Sequence, residues 1–303
     1  MLNRRTLLKG LAALSVSGIG FGGYALAEPF RLQVTRYSLT PPNWPKGCNL
    51  RLAILTDLHV CEPWMGRQRL RQVITRTNAL APDIVLLLGD YVPSSRISKL
   101  GRPVANDVWA GMLAELNAPL GTHAILGNHD WWDRDVQARR AGPTPAGEAL
   151  QKVGIPVYEN DAIKLEKDGQ DFWLAGLGDQ WAFWPRTRAE RRQKIPYRGV
   201  DDLDATLAQV PRGAPLIMMA HEPDVFSSMS DRVSLTVSGH THGGQVQVFG
   251  YKPVVPSRYG SRYAYGHIVE DGRHLLVSSG LGVSGLPIRF GVPPEIVQLD
   301  LAG

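Results

Sequence analysis

Five short polar clusters in this 303-residue chain carry the side chains best suited to binding catalytic metal ions. They supply carboxylate, amide and imidazole groups but no thiolate, which favours manganese, iron or zinc in a catalytic site over a structural zinc site. Two such ions, about 3.5–4 Å apart, together bind an attacking water and the oxygens of a phosphate ester. The sequence therefore predicts a site for two divalent metal ions. The candidate ligands are Asp57, His59, Asp90, Asn128, His221, His240 and His242.

Each polar cluster follows a short apolar run, which is the pattern of a buried β-strand. The runs cover residues 50–56, 84–88, 123–126, 216–220 and 235–238. Helical patterns at 70–80 and 107–116 separate the first three runs, and alternating strands and helices favour an α/β fold. Because functional groups in such folds gather beyond the carboxyl ends of the strands, we expect all five clusters to converge on one rim.

The remaining segments are predicted to surround this α/β region. Residues 28–49 contain several prolines and indicate a linker or an edge strand. Residues 157–177 and 245–299 contain more strand signals than helix signals, so we expect a second sheet packed on the first. The predicted metal-binding domain therefore spans residues 50–303.

The order of the motifs resembles that of the calcineurin-like metallophosphoesterase superfamily. The motifs are D-L-H at 57–59, G-D-Y at 89–91, G-N-H-D at 127–130, H-E-P at 221–223 and G-H-T-H at 239–242. Each motif is weak alone, but all of them in order after predicted strands form a specific signal, and the resemblance covers about residues 50–299. It implies a four-layer αββα sandwich, in which two packed mixed β-sheets are flanked by helices. It also implies metal-dependent hydrolysis of a phosphoester.

The resemblance implies a role for each matching position. One metal ion would be held by Asp57, His59 and His242, the other by Asn128, His221 and His240, and Asp90 would bridge the two ions. Asn128 and His129 would contact the phosphate, and His129 would protonate the leaving oxygen. Asp130 would orient His129 through a hydrogen bond. Arg289 is a further candidate phosphate contact, since arginine binds phosphate oxygens through its planar fork.

Particular residues distinguish the alternative functions. His221-Glu222 could begin a metalloprotease motif, but Val225 stands where H-E-x-x-H requires its second histidine. A non-catalytic metal-bearing scaffold of the same fold would be expected to lack a ligand or His129, and all are present. The segments 243–246, 279–282, 286–289 and 293–296 resemble a bacterial subgroup of exported phosphodiesterases and UDP-2,3-diacylglucosamine pyrophosphatases of lipid A biosynthesis. Both activities stay open, although the pyrophosphatase substrate is cytoplasmic and an export signal counts against it.

The N-terminus predicts export. Arg4-Arg5 and Lys9 precede a weakly apolar stretch over residues 11–24, and Ala25-Leu26-Ala27 offers a small-residue cleavage site. This resembles a cleaved twin-arginine signal peptide over residues 1–27, which would place the mature protein in the periplasm or envelope; an uncleaved membrane anchor is the alternative. Three of the basic residues behind the formal net charge of +5 lie in the first ten residues. The nearly balanced body therefore predicts no nucleic-acid partner.

Two aromatic segments have both a functional and a structural explanation. Trp181-Ala182-Phe183-Trp184 precedes a basic stretch, which would suit a lipid-linked substrate or peripheral contact with an anionic membrane. A surface helix with inward-packed aromatics explains this segment better. Trp131-Trp132 would either wall the substrate cleft or pack in the core. The basic stretch consists of Arg186, Arg188, Arg191, Arg192 and Lys194.

The remaining cysteine and histidine side chains are expected to be structural. Cys48 and Cys61 are predicted to stay buried thiols, with a disulfide in the oxidising envelope as the alternative. A lone histidine outside the motifs is usually a hydrogen-bonded core residue. This description applies to His123, His267 and His274.

Overall fold

Thirteen strands form two mixed β-sheets and a short ribbon in the part of the chain that the structure describes. The structure is a computed structural model and describes residues 21–133, 136–140, 142–185, 187–192 and 198–303. The first sheet has the order β1 (Gln33–Leu39), β13 (Glu295–Leu301), β2 (Leu50–Leu55), β4 (Ile84–Leu87) and β6 (Thr122–Ala124). The second has the order β11 (Gly266–Glu270), β12 (Arg273–Val277), β10 (Leu235–Ser238), β9 (Leu216–Met219), β8 (Gln170–Gly176) and β7 (Asp161–Lys167). The ribbon consists of β3 (Cys61–Glu62) and β5 (Arg102–Pro103).

Each sheet has a parallel centre. In the first sheet β2, β4 and β6 run parallel, β13 lies antiparallel to β2, and β1 pairs parallel with β13 at the edge. In the second sheet β12, β10, β9 and β8 run parallel, with β11 and β7 as antiparallel edge strands. Parallel neighbours end on the same side of a sheet, so the loops that follow them are brought together.

Helices connect the strands and cover the sheets. They are α1 (Arg67–Asn78), α2 (Ser95–Leu100), α3 (Asn106–Leu113), α4 (Asn128–Trp131), α5 (Val136–Arg140), α6 (Pro145–Lys152), α7 (Arg188–Arg192) and α8 (Leu203–Ala208). Short 3-10 helices lie at Glu28–Phe30, Pro223–Ser228, His242–Gly244 and Gly260–Tyr263. The predicted pattern at 70–80 corresponds to α1, which buries Leu70, Val73, Ile74 and Thr77 on one face.

The two sheets pack face to face through alternate side chains of their strands. On β2, Leu52 and Ile54 point into a core that they share with Ile217 of β9 and Leu276 of β12. A fully buried aliphatic side chain contributes about 1.5–3 kcal/mol relative to the exposed one. Leu55 points the other way, toward the helices. Because both faces of β2 are buried, its sequence is a nearly continuous apolar run.

Helices form the outer layers of the sandwich. Leu55 of β2 and Val85 of β4 belong to a second core with Leu70 of α1 and Trp109 of α3. Helix α8 covers the outer face of the second sheet through Leu207, which packs in a third core. The predicted fold class, two packed mixed sheets flanked by helices, is confirmed.

The assignment of strands to sheets differs from the sequence expectation. The late segments do supply β7, β8, β11 and β12 of the second sheet, but β13 returns to the first sheet beside β2. Strands β9 and β10, which carry the last two polar clusters, belong to the second sheet rather than to the first. A buried apolar run has the same pattern in either sheet, so periodicity could not assign it.

The segment before β2 contacts the body of the molecule. The predicted signal falls mostly outside the described residues, since residues 1–20 are not among them, and residues 21–27 are helical. The rings of Phe21 and Tyr24 lie 5.6 Å and 5.3 Å from that of Phe290. Within the described ranges, no helix has the length and apolar character needed to cross a bilayer. Cys48 and Cys61 are buried free thiols, as predicted, and no disulfide joins them.

Candidate metal centre

The loops that follow five strands bring the predicted ligands together between the two sheets. The first sheet supplies Asp57 and His59 after β2, Asp90 after β4 and Asn128 after β6. The second sheet supplies His221 after β9, and His240 and His242 after β10. All seven side chains are buried. The five clusters therefore do converge, but on a rim that both sheets build.

Most of these ligands have a backbone conformation that L-residues rarely adopt. The φ angles of Asp57, His59, Asp90, His240 and His242 lie between 43° and 67°. A non-glycine residue held in this left-handed region costs about 1–3 kcal/mol, so it persists only where the surrounding structure determines it. Five of the seven predicted ligands are held in this way. Such clustering is typical of a preorganised functional site.

Two motif glycines are required because neighbouring ligands approach their backbone closely. A Cβ atom on Gly127 would lie 2.4 Å from Asp90 Oδ1 and 2.6 Å from His221 Cε1. A Cβ atom on Gly239 would lie 2.5 Å from Asp57 Oδ2. Any side chain at these positions would displace a ligand. The glycines of G-N-H-D and G-H-T-H are therefore needed because they leave room for the ligands, and not because they adopt an unusual backbone conformation.

The first group of donors consists of Asp57, His59 and His242, whose ligand atoms lie within 4.8 Å of one another. Nε2 of His59 is 3.0 Å from Nε2 of His242, and the latter is 3.4 Å from Asp57 Oδ1. His59 Nδ1 lies 2.9 Å from the carbonyl oxygen of Val92, which can only accept a hydrogen bond. The proton therefore sits on Nδ1, and Nε2 directs a lone pair at the group, as metal ligation requires.

The second group consists of Asp90, His221 and His240. His221 Nδ1 donates to the carbonyl oxygen of Leu88 at 2.6 Å, and its Nε2 lies 3.4 Å from Asp90 Oδ2. Burial by itself lowers the pKa of His221, but the carboxylate of Asp90 raises it well above the usual value. A proton and a cation therefore compete for Nε2. Asn128 adds an amide oxygen, 2.9 Å from His240 Nδ1.

Asp90 lies between the two groups. Its Oδ2 is 3.5 Å from Nε2 of His59 in the first group and 3.4 Å from Nε2 of His221 in the second. Burial opposes the charged form, yet His221 and His129 together hold the pKa of Asp90 well below its usual range. The carboxylate is therefore ionised and placed to be shared by two cations.

The donor set fits divalent metal ions. Burial lowers the pKa of His240 to about 3 and also lowers that of His242, so both rings are neutral and able to ligate. Within the described residues, no hydrogen bond of normal geometry reaches the buried Nε2 of His221, although Asp90 Oδ2 lies 3.4 Å away. Lone pairs of buried imidazoles that face one another repel unless a cation lies among them. Two groups of nitrogen and oxygen donors joined by one carboxylate would hold two such ions.

His129 lies beside the two groups of donors, and its side chain is partly exposed to the cavity. Its backbone N–H donates to Asp90 Oδ1 at 2.8 Å, which fixes the residue next to the carboxylate that lies between the two groups. Its ring lies edge-on to the ring of His59, with 5.0 Å between centroids, and 5.0 Å from the ring of Trp132. This position is compatible with the predicted proton transfer to a leaving group.

The structure gives Asp130 a different task from the predicted one. Its carboxylate accepts four backbone N–H groups, with Oδ1 bonded to Tyr91 and Val92 and Oδ2 bonded to Asp90 and Gly127, all at 2.9–3.0 Å. These four bonds occupy the oxygens that were expected to orient the His129 ring. Asp130 instead ties the loop after β4 to the start of α4. It positions Asp90 and Asn128 through the backbone.

The prediction that Arg289 contacts phosphate does not fit its position. The side chain is fully buried, and its guanidinium donates to the carbonyl oxygens of Ser279, Gly280, Gly282 and Val292 at 2.7–3.1 Å. Burial lowers the pKa of Arg289 to about 10. The sequence signal, an arginine in a loop near the end of the chain, could not distinguish an arginine that binds phosphate from one that binds carbonyls.

Arg289 instead supports two ligands of the first group. Its terminal nitrogen lies 3.3 Å from Nδ1 of His242. The carbonyl groups that Arg289 binds include three in the loop of residues 279–282. In this loop the N–H of Gly282 donates to Asp57 O at 2.7 Å, and a Cβ atom on Gly280 would lie 2.7 Å from the Asp57 Cβ. Arg289 therefore holds the loop of residues 279–282 against Asp57.

A cavity of about 500 Å³ opens above the metal groups. Trp181 and Trp132 form an aromatic wall, joined by a hydrogen bond of 3.0 Å from Trp132 Nε1 to Trp181 O. The ring of Trp181 lies 4.6 Å from that of His240. The remaining apolar lining is aliphatic, and Arg96 stands among the lining residues. This aliphatic lining includes Val246, Pro253, Val254, Pro256, Leu286 and Ile288.

In the aromatic segments, some side chains line the cavity and others pack in the core, so each of the two predicted explanations holds in part. Trp132 and Trp181 face the cavity, whereas Trp131 is buried and packs against Phe183. In the basic stretch, Arg188–Arg192 form α7, which has no buried residue. Arg186 and Lys194 lie outside the described residues.

Two acidic residues beside the second metal group were missed as site residues. Asp179 and Glu222 are buried with His221 in a cluster of potential ligands. Burial raises the pKa of both carboxyl groups, so they favour sharing a proton. Glu222 belongs to the H-E-P motif, but no role of its own in the site was predicted for it. Asp179 follows β8 in a Gly-Asp pair, the same strand-then-Gly-Asp signal as Asp90, and that signal could have identified it.

The three histidines expected to be structural lie away from the ligands. His123 is buried, with Nδ1 2.8 Å from the Tyr158 hydroxyl and Nε2 2.8 Å from Leu120 O. His267 and His274 face each other across β11 and β12, with 3.1 Å between ring nitrogens. All three are hydrogen-bonded, as predicted, but only His123 lies in the core, since His267 and His274 are half-buried on β11 and β12 of the second sheet.

Comparison with known proteins gives one family and several full-length relatives. The family described as calcineurin-like phosphoesterase matches residues 50–244, a range that includes all seven predicted ligands. The uncharacterized metallophosphoesterase YkuE of Bacillus subtilis is 28% identical over 308 residues, which cover 99% of this chain and 98% of that protein. Phosphodiesterase YaeI of Escherichia coli is 28% identical over 306 residues, covering 99% and 100% of the two chains. An uncharacterized metallophosphoesterase of Aquifex aeolicus is 28% identical over 285 residues, covering 93% and 96%.

Proposed function

The chain belongs to the calcineurin-like phosphoesterase family, and from that premise we propose that it hydrolyses phosphodiesters in the bacterial envelope with two divalent metal ions. It is a metal-dependent phosphoesterase; the diester preference, the location and the residue roles are the proposal. The observation that carries it is that two groups of buried donors share Asp90 beneath one cavity, with His129 at the cavity wall.

The residues of the chain divide the catalytic work. Two divalent cations, when bound, activate water and neutralise charge that develops on the phosphate oxygens. His129 faces the cavity and, when protonated, donates from a ring nitrogen to the leaving oxygen. Asp130 and Arg289 hold the ligand loops in place, and Trp132 and Trp181 exclude water from one side of the cavity.

The lining of the cavity supports a diester over a monoester. A diester carries one negative charge and two organic groups, whereas a monoester carries up to two charges and one organic group. In the lining that the structure describes, Arg96 is the one arginine or lysine. The aromatic and aliphatic parts of the lining offer two apolar surfaces, one for each organic group. The name phosphodiesterase carried by the E. coli relative is consistent with this choice.

A hydrolysis panel on metal-reconstituted protein tests the proposal. The substrates are bis-p-nitrophenyl phosphate, p-nitrophenyl phosphate and UDP-2,3-diacylglucosamine, each with manganese, iron or zinc. We expect the highest kcat/KM for the diester. Preference for the monoester would contradict the diesterase assignment, and preference for the nucleotide lipid would support the pyrophosphatase alternative. Absence of hydrolysis from all three, with both metals bound, would favour the scaffold.

The proposed location rests on the N-terminal sequence. Expression with a C-terminal tag, followed by fractionation and N-terminal sequencing, measures it directly. A mature chain that begins at Glu28 in the periplasmic fraction is the expected result. Recovery of Met1 in the membrane fraction would indicate an uncleaved anchor instead, and a cytoplasmic chain would contradict export.

A further inference from the structure

A turn beside the cavity carries a fully exposed aromatic side chain. Val248 and Tyr251 exchange two backbone hydrogen bonds of 3.0 Å and 2.9 Å, with Phe249 and Gly250 between them. Both central residues have positive φ, 49° and 85°, the conformation of a tight hairpin turn. Phenylalanine rarely adopts this conformation, and the exposed fraction of Phe249 is 105%. Among the described residues, none covers this ring.

The exposed ring belongs to a larger apolar surface. We use the name apolar loop surface for Val248, Phe249, Tyr251 and Val254, whose exposed fractions range from 43% to 105%. These four exposed apolar side chains lie within seven residues of the chain, and clustered exposed apolar surface of this kind marks interaction sites.

The apolar loop surface is continuous with the mouth of the cavity. Val254 belongs to both, and Leu286, which is half exposed, extends the cavity lining to the molecular surface. The base of the loop is tied to Phe290 through hydrogen bonds with Gln245 and Gln247, at 3.0 Å and 2.7 Å. Phe290 is the residue against which Phe21 packs.

The N-terminal segment therefore joins the domain beside this surface. Phe21 is itself largely exposed, and the sequence that precedes it is the weakly apolar stretch that begins at Leu11. In a chain that keeps this segment, Phe21 thus contacts the residue that anchors the apolar loop surface, whereas a mature chain that begins at Glu28 would dock through the apolar loop surface alone.

The charges around the loop distinguish between possible partners. No aspartate or glutamate occurs in the sequence between Asp231 and Glu270, and Lys252 and Arg258 flank the exposed apolar residues. The carboxylate of Asp224 bonds Ser257 and the backbone of Arg258, and Asp201 interacts with the charge of Arg258, so Lys252 is the basic side chain that carries the charge argument. Exposed aromatic and aliphatic side chains with basic neighbours fit the interface of a bilayer that contains anionic lipids. If the surface instead bound another protein, binding would not depend on anionic lipid.

We propose that the apolar loop surface docks the domain on an anionic lipid bilayer, with Phe249 inserted at the level of the headgroups. Docking places the cavity mouth against the lipid, so an amphiphilic phosphoester reaches the metal centre without crossing water. The substrate part of this inference rests on the proposed function, whereas the docking itself does not.

A fluorescent label at the turn tests insertion directly. Cys48 and Cys61 are both 0% exposed, so a single surface cysteine can be labelled selectively. We compare Phe249→Cys with Val269→Cys, an exposed position on β11, each in the full chain and carrying a polarity-sensitive dye. With phosphatidylcholine–phosphatidylglycerol vesicles, a blue shift at position 249 and none at 269 is expected. Equal emission changes at both positions would overturn the proposal, because binding would not involve the turn.

A second pair of variants measures the contribution of the surface to binding. Phe249→Ser combined with Tyr251→Ser removes two aromatic rings and is expected to lower the vesicle partition coefficient about tenfold or more. Val269→Ser serves as the matched control and should bind as wild type does. Hydrolysis of soluble bis-p-nitrophenyl phosphate should stay unchanged in the double variant, since neither residue lines the cavity.

The outcomes separate this proposal from the proposed function. Wild-type partition by the double variant, or binding that ignores phosphatidylglycerol, would overturn the docking surface and leave the hydrolase untouched. Self-association that the double variant abolishes, without vesicle binding by wild type, would identify a protein interface instead. Inactivity of the wild-type enzyme on every phosphoester would refute the function, and the vesicle measurements would still stand.

Discussion

Replacing Asp130 with asparagine should weaken both the fold and the metal site. Each carboxylate oxygen of Asp130 accepts two backbone N–H groups, and the side chain is buried. An asparagine has one oxygen and one NH2 group. Whichever way the amide turns, its NH2 group faces two N–H donors, so two buried donors lose their acceptor. At about 1–3 kcal/mol for each, the expected loss in the free energy of unfolding is about 2–6 kcal/mol.

The assay is urea unfolding of metal-free protein together with calorimetric titration of manganese. Unfolding is measured at about pH 8, since burial and the charge of Asp90 raise the pKa of Asp130 to about 7. Depending on how the amide turns, the freed donors are those of Asp90 and Gly127 or those of Tyr91 and Val92, and either pair helps to fix the loop that carries Asp90. Loss of such support typically lowers metal affinity 10–100-fold, and we expect a decrease of about that size.

Asp202→Asn is the matched control. Asp202 caps α8 by accepting the N–H of Ala205 at 2.9 Å, and asparagine caps a helix as well as aspartate does. This variant should unfold and bind manganese as the wild type does. If Asp130→Asn unfolds within about 1 kcal/mol of the wild type, the four-donor explanation is incorrect.

Three further predictions test other parts of the site and the core. Asp90→Ala should lose metal and activity together, whereas His129→Ala should keep both metals by elemental analysis and lose about 10²–10⁴-fold in kcat; wild-type activity in either variant would refute its role. Arg289→Met removes the donor from the carbonyl oxygens of Ser279, Gly282 and Val292, whereas that of Gly280 keeps the backbone N–H of Glu295. Urea unfolding should therefore show a loss of about 3 kcal/mol or more, and bound metal should decrease. Unchanged stability and metal content would disprove the positioning role. Burial lowers the pKa of His123 below that of the unfolded chain, so its stabilising contribution is complete above about pH 6.5 and is lost as the pH falls. The stability difference between wild type and His123→Gln should therefore shrink on acidification, and a difference that grows would contradict this sign.

The strained ligand backbones link the stability of the molecule to its function. Asp57, His59 and Asp90 hold left-handed conformations because the loop of residues 279–282 and the four N–H groups around Asp130 fix the ends of their strands. The strained conformations cost free energy, and these contacts hold the ligands in them. Substitutions such as Arg289→Met therefore reach the chemistry without touching the substrate.

Several strands, one helix and the types of the metal ligands could be predicted from local sequence. Apolar runs followed by polar clusters identified β2, β4, β9 and β10, because a strand buried on both faces must be apolar throughout. The spacing of Leu70, Val73 and Ile74 identified α1, because only one face of a helix meets the sheet. Ligand types and their order indicated the metal site and the family.

Only the tertiary structure showed which sheet each strand joins and which side chains meet. β13 closes the first sheet from the end of the chain, and β10 places His240 and His242 opposite ligands that lie in the other sheet. The roles of Asp130 and Arg289 depended on which backbone groups surround them, and those groups come from segments far away in sequence. Hydrogen-bond partners of this kind have no periodicity along the chain, so only the folded packing assigns Asp130 to four amides, Arg289 to carbonyls and Trp181 to the cavity wall.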